Sequence, residues 1–273
     1  MKIGVRAHDF GRLSPEILAE RLSAAGVEAV QLAIPKAIAG ADSYHAVSDA
    51  LLDRIRAAFA GRSIAIAVLG CYIDPAHPDE AGRARQVDTF RRGIYCAAAV
   101  GAGCIATETS VFTGPEAARA DAFDRLCGSL DSLLPEARRA GVTVGIEPVA
   151  AHTVNSPGMV TALFKRFEGG GLAAVFDPVN LLQPGLVRDQ NRLWESCLYA
   201  FGDAIAAVHI KEVIPSGDTL QDCPPGEGVM DYGRVIAPWL REHKPDIALL
   251  REGGLPGAAE RELAWMRKTF GPP

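Results

Sequence analysis

Short apolar, β-rich runs alternate with longer helical segments along the whole chain. Apolar runs of this length, bounded by Gly and polar residues, predict buried strands. Strands that alternate with helices are parallel, because a parallel pair needs a crossover long enough to hold a helix. Eight strands are predicted, at Ile3–Ala7, Ala29–Ala33, Ile64–Leu69, Gly103–Thr107, Val142–Ile146, Ala173–Phe176, Ala206–Ile210 and Ile247–Leu250.

The segments between the strands carry apolar residues at helical spacing. Gly26, Gly101 and Gly141 each follow such a segment and precede a strand, which is typical of helix C-terminal caps. The predicted helices include Pro15–Ala25, Ser48–Ala60, Glu80–Val100, Pro115–Arg139 and Gly233–Glu242.

Eight strand–helix units in 273 residues predict a closed parallel (β/α)₈ barrel, the TIM barrel. Such barrels are typically about 250 residues long. A doubly wound open sheet also alternates strands and helices, and it is the alternative fold. No change in composition marks a linker, so we expect residues 1–273 to form a single TIM-barrel domain. The Pro- and Gly-rich stretch Ile214–Gly228 predicts a long loop between a strand and a helix.

Composition excludes several classes of partner. The formal net charge is −5 and no basic patch stands out, so we expect no nucleic-acid partner. No apolar stretch reaches the roughly 18 residues of a membrane span, and the N-terminus has no secretory h-region. We therefore expect a cytoplasmic protein with no membrane contact. The six cysteines form no CxxC pair, which predicts reduced, buried thiols.

A metal-capable residue lies at or near the end of each of the last four predicted strands: Glu147, Asp177, His209 and Glu252. They are roughly 30 to 43 residues apart, about one strand–helix unit, so a barrel would bring them to one mouth. A buried carboxylate is costly unless it is paired or coordinated. Three carboxylates and an imidazole suit one divalent cation, Mn²⁺ first, with Mg²⁺, Co²⁺ and Zn²⁺ as alternatives. The other interpretation is four separate polar caps or ion pairs.

The motifs GIEP, FDPVN and HIK, followed by a last strand that ends in Glu, resemble the xylose-isomerase-like superfamily of TIM barrels. Within it, the chain is most similar to the sugar isomerase and epimerase group, which includes ketose 3-epimerases and hydroxypyruvate isomerases. The opening KIGVRAHDFG and the segment PPGEGVMDYGRV also resemble this group. The resemblance covers essentially the whole chain.

The resemblance implies that Glu147, Asp177, His209 and Glu252 bind one divalent cation and that Glu147 and Glu252 are catalytic. These two glutamates would move a proton on a carbon next to a ketose carbonyl, through an enediolate. Return of the proton to the opposite face gives epimerisation, and return to the adjacent carbon gives isomerisation. The same residues permit both outcomes.

The chain departs from the ketose 3-epimerases at two substrate-contacting positions. These enzymes usually have a histidine three residues after the aspartate of strand six, where this chain has Asn180. They also tend to have an arginine after the histidine of strand seven, where the nearest cation here is Lys211. Asparagine can bind a hydroxyl but cannot be a cationic donor. The substrate is therefore expected to be a small polyol or hydroxy-ketone, without assignment to a known ketose.

Five residues are candidates for substrate binding at the mouth. Lys211 shares the strand face of His209, whereas Arg251 has the opposite parity to Glu252 and is expected to face the helices. Gly253 and Gly254 could cradle an anion, but no cluster of basic residues accompanies them, which favours an unphosphorylated substrate. The five candidates are His8, Glu108, His152, Asn180 and Lys211.

Three other functions stay open at this point. An inosose-type dehydratase of the same superfamily would use the same residues to expel a hydroxyl group. A non-catalytic barrel could bind a metal or a sugar. An endonuclease acting at abasic DNA sites would need more histidines and a basic face, which argues against it, since the chain has six histidines and a net negative charge. A homo-oligomer is compatible with the sequence.

Overall fold

Eight parallel strands close into a barrel in the computed structural model, which describes residues 1–254 and 256–272. The first strand pairs with both the second and the last, so the sheet has no open edge. The (β/α)₈ prediction is confirmed, and the open-sheet alternative is wrong. The barrel strands are β1 Lys2–Arg6, β2 Ala29–Leu32, β3 Ala65–Gly70, β4 Cys104–Glu108, β5 Thr143–Glu147, β6 Leu172–Phe176, β7 Ile205–Ile210 and β10 Ala248–Arg251.

Helices surround the barrel, and several begin where the sequence supplies a capping side chain. Ser14, Ser48 and Asp79 each accept a hydrogen bond from a backbone N–H in the first turn of the helix that follows. No described helix has both the length and the apolarity needed to cross a membrane. The helices are α1 Pro15–Ala24, α2 Ile34–Ala37, α3 Asp49–Ala60, α4 Glu80–Val100, α5 Arg119–Arg139, α6 Pro157–Arg166, α7 Gln190–Phe201, α8 Ile236–His243 and α9 Ala259–Phe270.

The segment after β7 is more ordered than the predicted loop. It folds into a two-stranded antiparallel hairpin, β8 Val213–Ser216 and β9 Thr219–Asp222. After the hairpin, the chain is held against the barrel by the buried carboxylate of Glu212, which accepts hydrogen bonds from the backbone N–H groups of Gly226 and Met230. Ile214–Gly228 thus belongs to a long connection between β7 and α8, as predicted, and the hairpin in its first half is an addition that the sequence did not predict.

The barrel interior is filled by small side chains. At Gly145 an added Cβ would lie 2.9 Å from Cys104 Sγ, which leaves no room for a larger residue. Successive side chains of a strand point to opposite faces, so residues two positions apart share a face. The interior cluster contains Ala29, Val68, Cys104, Ala106, Val175, Ala207, Ala248 and Leu250, and a larger apolar core lies between the barrel and the helices.

Candidate active site

The four metal-capable side chains lie together at the carboxyl ends of their strands. Each follows an interior residue by two positions: Glu147 follows Gly145, Asp177 follows Val175, His209 follows Ala207 and Glu252 follows Leu250. Strand parity therefore points all four into the mouth of the barrel. One potential ligand atom from each lies within 4.8 Å of the others.

His209 occupies the centre of this cluster and is almost completely buried. Its Nδ1 is 3.4 Å from Oε1 of Glu147 and 3.2 Å from Oε2 of Glu252, yet it makes no hydrogen bond to a described residue. Burial alone would lower the pKa of His209, but the surrounding carboxylates, Glu147 foremost, outweigh burial and raise it to about 9. Without a bound cation, the imidazole is therefore protonated at neutral pH.

Asp177 explains how a buried strand can end in a carboxylate. Its Oδ1 accepts hydrogen bonds from the backbone N–H groups of Val179 and Asn180, at 2.8 and 3.1 Å, and so shapes the turn after β6. Its Oδ2 points into the cluster and makes no hydrogen bond of good geometry, although the Nζ of Lys211 lies 3.0 Å away. Burial raises the pKa of Asp177, and the Lys211 ammonium only partly offsets this.

One carboxylate oxygen of Glu252 forms ion pairs with two cationic side chains. Its Oε1 lies 2.8 Å from Nη1 of Arg6 and 2.9 Å from Nζ of Lys211. Burial opposes ionisation, but His209, Lys211 and Arg6 outweigh it and lower the pKa of Glu252 to about 2. Glu252 is therefore ionised at neutral pH. Arg6, which also donates two hydrogen bonds to Asp9, was not among the site residues predicted from the sequence.

The residues present fit a divalent cation. Three carboxylates and one neutral imidazole form a donor set suited to such ions. Two buried atoms that face one another across the cluster, Nδ1 of His209 and Oδ2 of Asp177, lack hydrogen-bond partners among the described residues. A buried polar atom without a partner is costly, and ligation to a cation would remove that cost. The candidate metal site thus consists of Glu147, Asp177, His209 and Glu252.

We expect the metal-free protein to lose stability as the pH rises from about 6.5 to about 9. The pKa of His209 is raised in the folded chain to about 9, whereas that of an unfolded histidine is about 6.5. The protonated imidazole therefore makes its full contribution to the free energy of unfolding below about pH 6.5, and this contribution is lost as the pH rises through about 9. Over that range, urea unfolding in the presence of a chelator should show wild type losing about 2 to 3 kcal/mol relative to H209Q.

The exposed His45 supplies the control for this measurement. The H45Q variant should follow the wild-type dependence on pH, because this side chain lies outside the cluster. Parallel stability curves for wild type and H209Q would contradict the raised pKa.

Asn180 connects two members of the site. Its Nδ2 donates to Oε1 of Glu147 at 2.7 Å, and its Oδ1 accepts from Nζ of Lys211 at 2.8 Å. Lys211 in turn lies beside Asp177 and Glu252. The asparagine that departs from the ketose 3-epimerase pattern therefore lies in the same polar network as the cluster.

The other predicted substrate contacts lie on opposite sides of the mouth. His8, in a 3₁₀ turn after β1, is half-buried, and burial together with Arg6 lowers its pKa to about 4. Glu108 lies beside Glu147 in the register of β4 and β5, and its Oε2 is 3.6 Å from Nε2 of His152. Burial lowers the pKa of His152 and raises that of Glu108. The His152 side chain is buried.

Two further polar residues, not singled out as site residues in the sequence, lie on the β2 and β3 side. The Oε1 of Gln31 is hydrogen-bonded to Nε2 of His209, and its Nε2 donates to the Tyr72 hydroxyl at 2.6 Å. The Nζ of Lys36 lies 4.0 Å from the centre of the Tyr72 ring. Gln31 follows the interior residue Ala29 by two positions, and that parity was the available signal in the sequence.

The last strand also behaves as its parity predicted. Arg251 faces the helices, where its Nε donates to Oε2 of Glu262 in α9 at 3.0 Å. The backbone N–H of Gly253 donates to a carboxylate oxygen of Asp9. One of the two N–H groups that could have cradled an anion is thus already bound by a carboxylate of the same chain.

A family model described as xylose isomerase-like TIM barrel matches residues 19–269. The chain belongs to this family. Members of the xylose isomerase-like family share the closed barrel found here. No curated protein matches the sequence.

Solved structures of similar fold have low sequence identity to the chain. A D-psicose 3-epimerase crystallised in the presence of D-fructose superimposes with a TM-score of 0.72 at 16% identity, over 100% of both chains. A 3-keto-D-glucoside 4-epimerase from E. coli gives 0.77 at 18%, over 98% of this chain and 99% of that one. The IolI protein with a bound zinc atom gives 0.76 at 18%, over 98% and 96%. At these identities the likeness establishes the fold.

Proposed function

We propose that this protein is a divalent-metal-dependent sugar isomerase or epimerase acting on a small polyol ketone. The observation that carries the proposal is the convergence of three carboxylates and one imidazole within 4.8 Å, with two buried ligand atoms left unpartnered. Membership of the xylose isomerase-like family supports the same conclusion. Among proteins of similar fold, two are named as sugar epimerases and one holds zinc.

Glu147, Asp177, His209 and Glu252 would hold the cation. A divalent cation polarises a carbonyl and makes the neighbouring C–H more acidic. Mn²⁺ is our first choice, and Mg²⁺, Co²⁺ and Zn²⁺ are the alternatives. Asp177 suits a purely binding role, because it is fully buried and its other oxygen is held by the backbone.

Glu147 and Glu252 would exchange protons with the substrate carbon. Both carboxylates lie within 3.4 Å of Nδ1 of His209. They come from β5 and β10, on either side of β6 and β7, so a substrate at the mouth could meet one on each side. The lowered pKa of Glu252 keeps it ionised in the metal-free protein. Asn180 would orient Glu147 through its N–H donor, while the cationic Lys211 would stabilise negative charge that develops on the substrate oxygen.

The remaining substrate-binding candidates would recognise hydroxyl groups. His8 is neutral at physiological pH, because its pKa is lowered to about 4, and a neutral imidazole can both donate and accept. Glu108 and His152 would do the same at the opposite side of the mouth, next to Glu147. We propose that these two groups bind the two ends of an extended polyol.

Solvent deuterium incorporation tests the proposal. Purified protein is incubated in D₂O with added Mn²⁺ and a panel of ketoses, inososes and short hydroxy-keto acids, followed by NMR and mass spectrometry. The expected results are deuterium at a carbon next to the carbonyl, in the substrate or in an isomer that has lost no water, and no deuterium uptake when a chelator is added. A product lighter by one water would identify the dehydratase instead. Ligand binding without deuterium uptake across the panel would indicate a non-catalytic barrel.

A further inference from the structure

We propose that Gln31 is a positioning residue that holds His209 in the tautomer able to bind the cation. The inference rests on the proposed metal site and deepens it. Gln31 lies on β2, 178 residues away from His209 in the chain. Its carbonyl oxygen bonds to Nε2 of the imidazole, whereas the carboxylates of the cluster lie near Nδ1, so its role would be exerted through the imidazole.

The geometry assigns different tasks to the two ring nitrogens. Nδ1 faces the carboxylates of Glu147 and Glu252 and has no hydrogen-bond partner among the described residues. Nε2 points away from them and is hydrogen-bonded to the Gln31 carbonyl oxygen. A ligating Nδ1 needs its lone pair free, which requires the proton to be on Nε2. Gln31 supplies the acceptor for that proton.

Solvent is poorly placed to replace this acceptor. Gln31 is 2% exposed and His209 is 1% exposed, so an Nε2–H without a partner would be buried and unsatisfied. The reverse orientation of the Gln31 amide would set an N–H group against that ring N–H. The Tyr72 hydroxyl accepts from the Gln31 amide nitrogen at 2.6 Å and so completes a chain that keeps the carbonyl turned towards His209.

Metal affinity of matched variants tests the inference. Gln31→Leu removes the acceptor at similar volume, while Gln31→Glu restores one. Gln190→Leu is the control, because Gln190 is also a buried glutamine, and its side-chain hydrogen bonds within the described residues are to Val187, Val229 and Asp231. Zn²⁺ and Mn²⁺ dissociation constants would be measured by chelator competition. We expect Q31L to bind about 10- to 100-fold more weakly than wild type, and Q31E and Q190L to bind within about threefold of it.

A spectroscopic readout tests the tautomer directly and needs no variant of Gln31. In ¹⁵N-histidine-labelled protein loaded with Zn²⁺, the His209 signals, assigned with H209Q, should show a proton on Nε2 that is protected from exchange. That protection should be lost in Q31L.

Each outcome separates this inference from the proposed metal site. Failure of wild type to bind either cation would overturn the metal site itself. If wild type binds and Q31L binds equally well, or Q31E is as weak as Q31L, Gln31 does not position His209. A proton on Nδ1 in the Zn²⁺-loaded protein would also reject the inference, whether or not Q31L folds.

Discussion

Substitution of Glu147 by glutamine should remove measurable deuterium exchange, a loss of at least about 1,000-fold at saturating Mn²⁺. General acid–base catalysis by one positioned side chain contributes roughly 100- to 10,000-fold, and the substitution also takes away a charged ligand. Glutamine keeps the side-chain length and a carbonyl oxygen that can still accept from Asn180. The change therefore removes the charge and the proton-accepting group while preserving the local hydrogen bond.

The neighbouring strand provides a matched control for this substitution. Glu108 lies directly opposite Glu147 in the register of β4 and β5, but it is 40% exposed and outside the ligand cluster. Glu108→Gln should reduce exchange by no more than about 10-fold, the scale of one lost substrate hydrogen bond of about 1 kcal/mol. Measured Mn²⁺ affinities allow weaker binding to be separated from slower chemistry. Equal losses in both variants would deny Glu147 a special role.

The fold could be predicted from the sequence because its signal is repeated. Each of the eight strands was located to within about one or two residues, and Gly26, Gly101 and Gly141 do end helices with a positive φ. The hairpin β8–β9 was missed because its residues are largely exposed and Pro-containing, so they show no apolar alternation. Local pairing through the turn at Gly217 determines that element.

The site was only partly visible in the sequence, and the reason is physical. Acids that end apolar strands are conspicuous, because burial of a charge demands a partner. Arg6 and Gln31 also follow interior positions, Gly4 and Ala29, by two residues, so their side chains point into the mouth. A polar residue at a strand end is common, however, and its role cannot be predicted without knowing which residues it contacts across the mouth. The link from Gln31 to His209 depends on closure of the barrel, because β2 comes near β7 only through the pairing of β1 with β10.

Charge balance explains how three carboxylates are tolerated together. Lys211 contacts Asp177 and Glu252, Arg6 contacts Glu252, and protonated His209 contacts Glu147. Asp9 also binds Arg6, so three cations face four carboxylates when no metal is bound. A divalent cation that replaced the proton of His209 would add one positive charge and bring this group of side chains close to neutral. It would thereby lower the cost of negative charge that develops on an enolised substrate.

Asp177→Asn should weaken Mn²⁺ and Zn²⁺ binding at least about 100-fold, more than the 10- to 100-fold typical of groups that only support a ligand. Its carbonyl oxygen can keep the two backbone N–H bonds of the turn after β6. The new amide nitrogen would then take the place of Oδ2, which lies 3.0 Å from Nζ of Lys211 and 3.9 Å from Nδ1 of His209. Three nitrogen donors, those of the amide, Lys211 and protonated His209, would then face one another. The flipped amide is no better, because its N–H groups would meet the backbone donors of Val179 and Asn180.

Asp177→Asn should also lower the stability of the metal-free protein, by about 2 kcal/mol, since the buried Lys211 ammonium loses one of its two carboxylate partners and keeps Glu252. Glu212→Gln is the control, because Glu212 is a buried acid beside Lys211 that bonds to backbone N–H groups of the hairpin segment and lies outside the cluster. It should lose stability while its metal dissociation constants stay within about threefold of wild type, since the four ligands are untouched. Chelator competition and urea unfolding distinguish the two variants. If D177N retained wild-type metal affinity, the cation would not be bound by this cluster, because no other rearrangement supplies the missing oxygen charge.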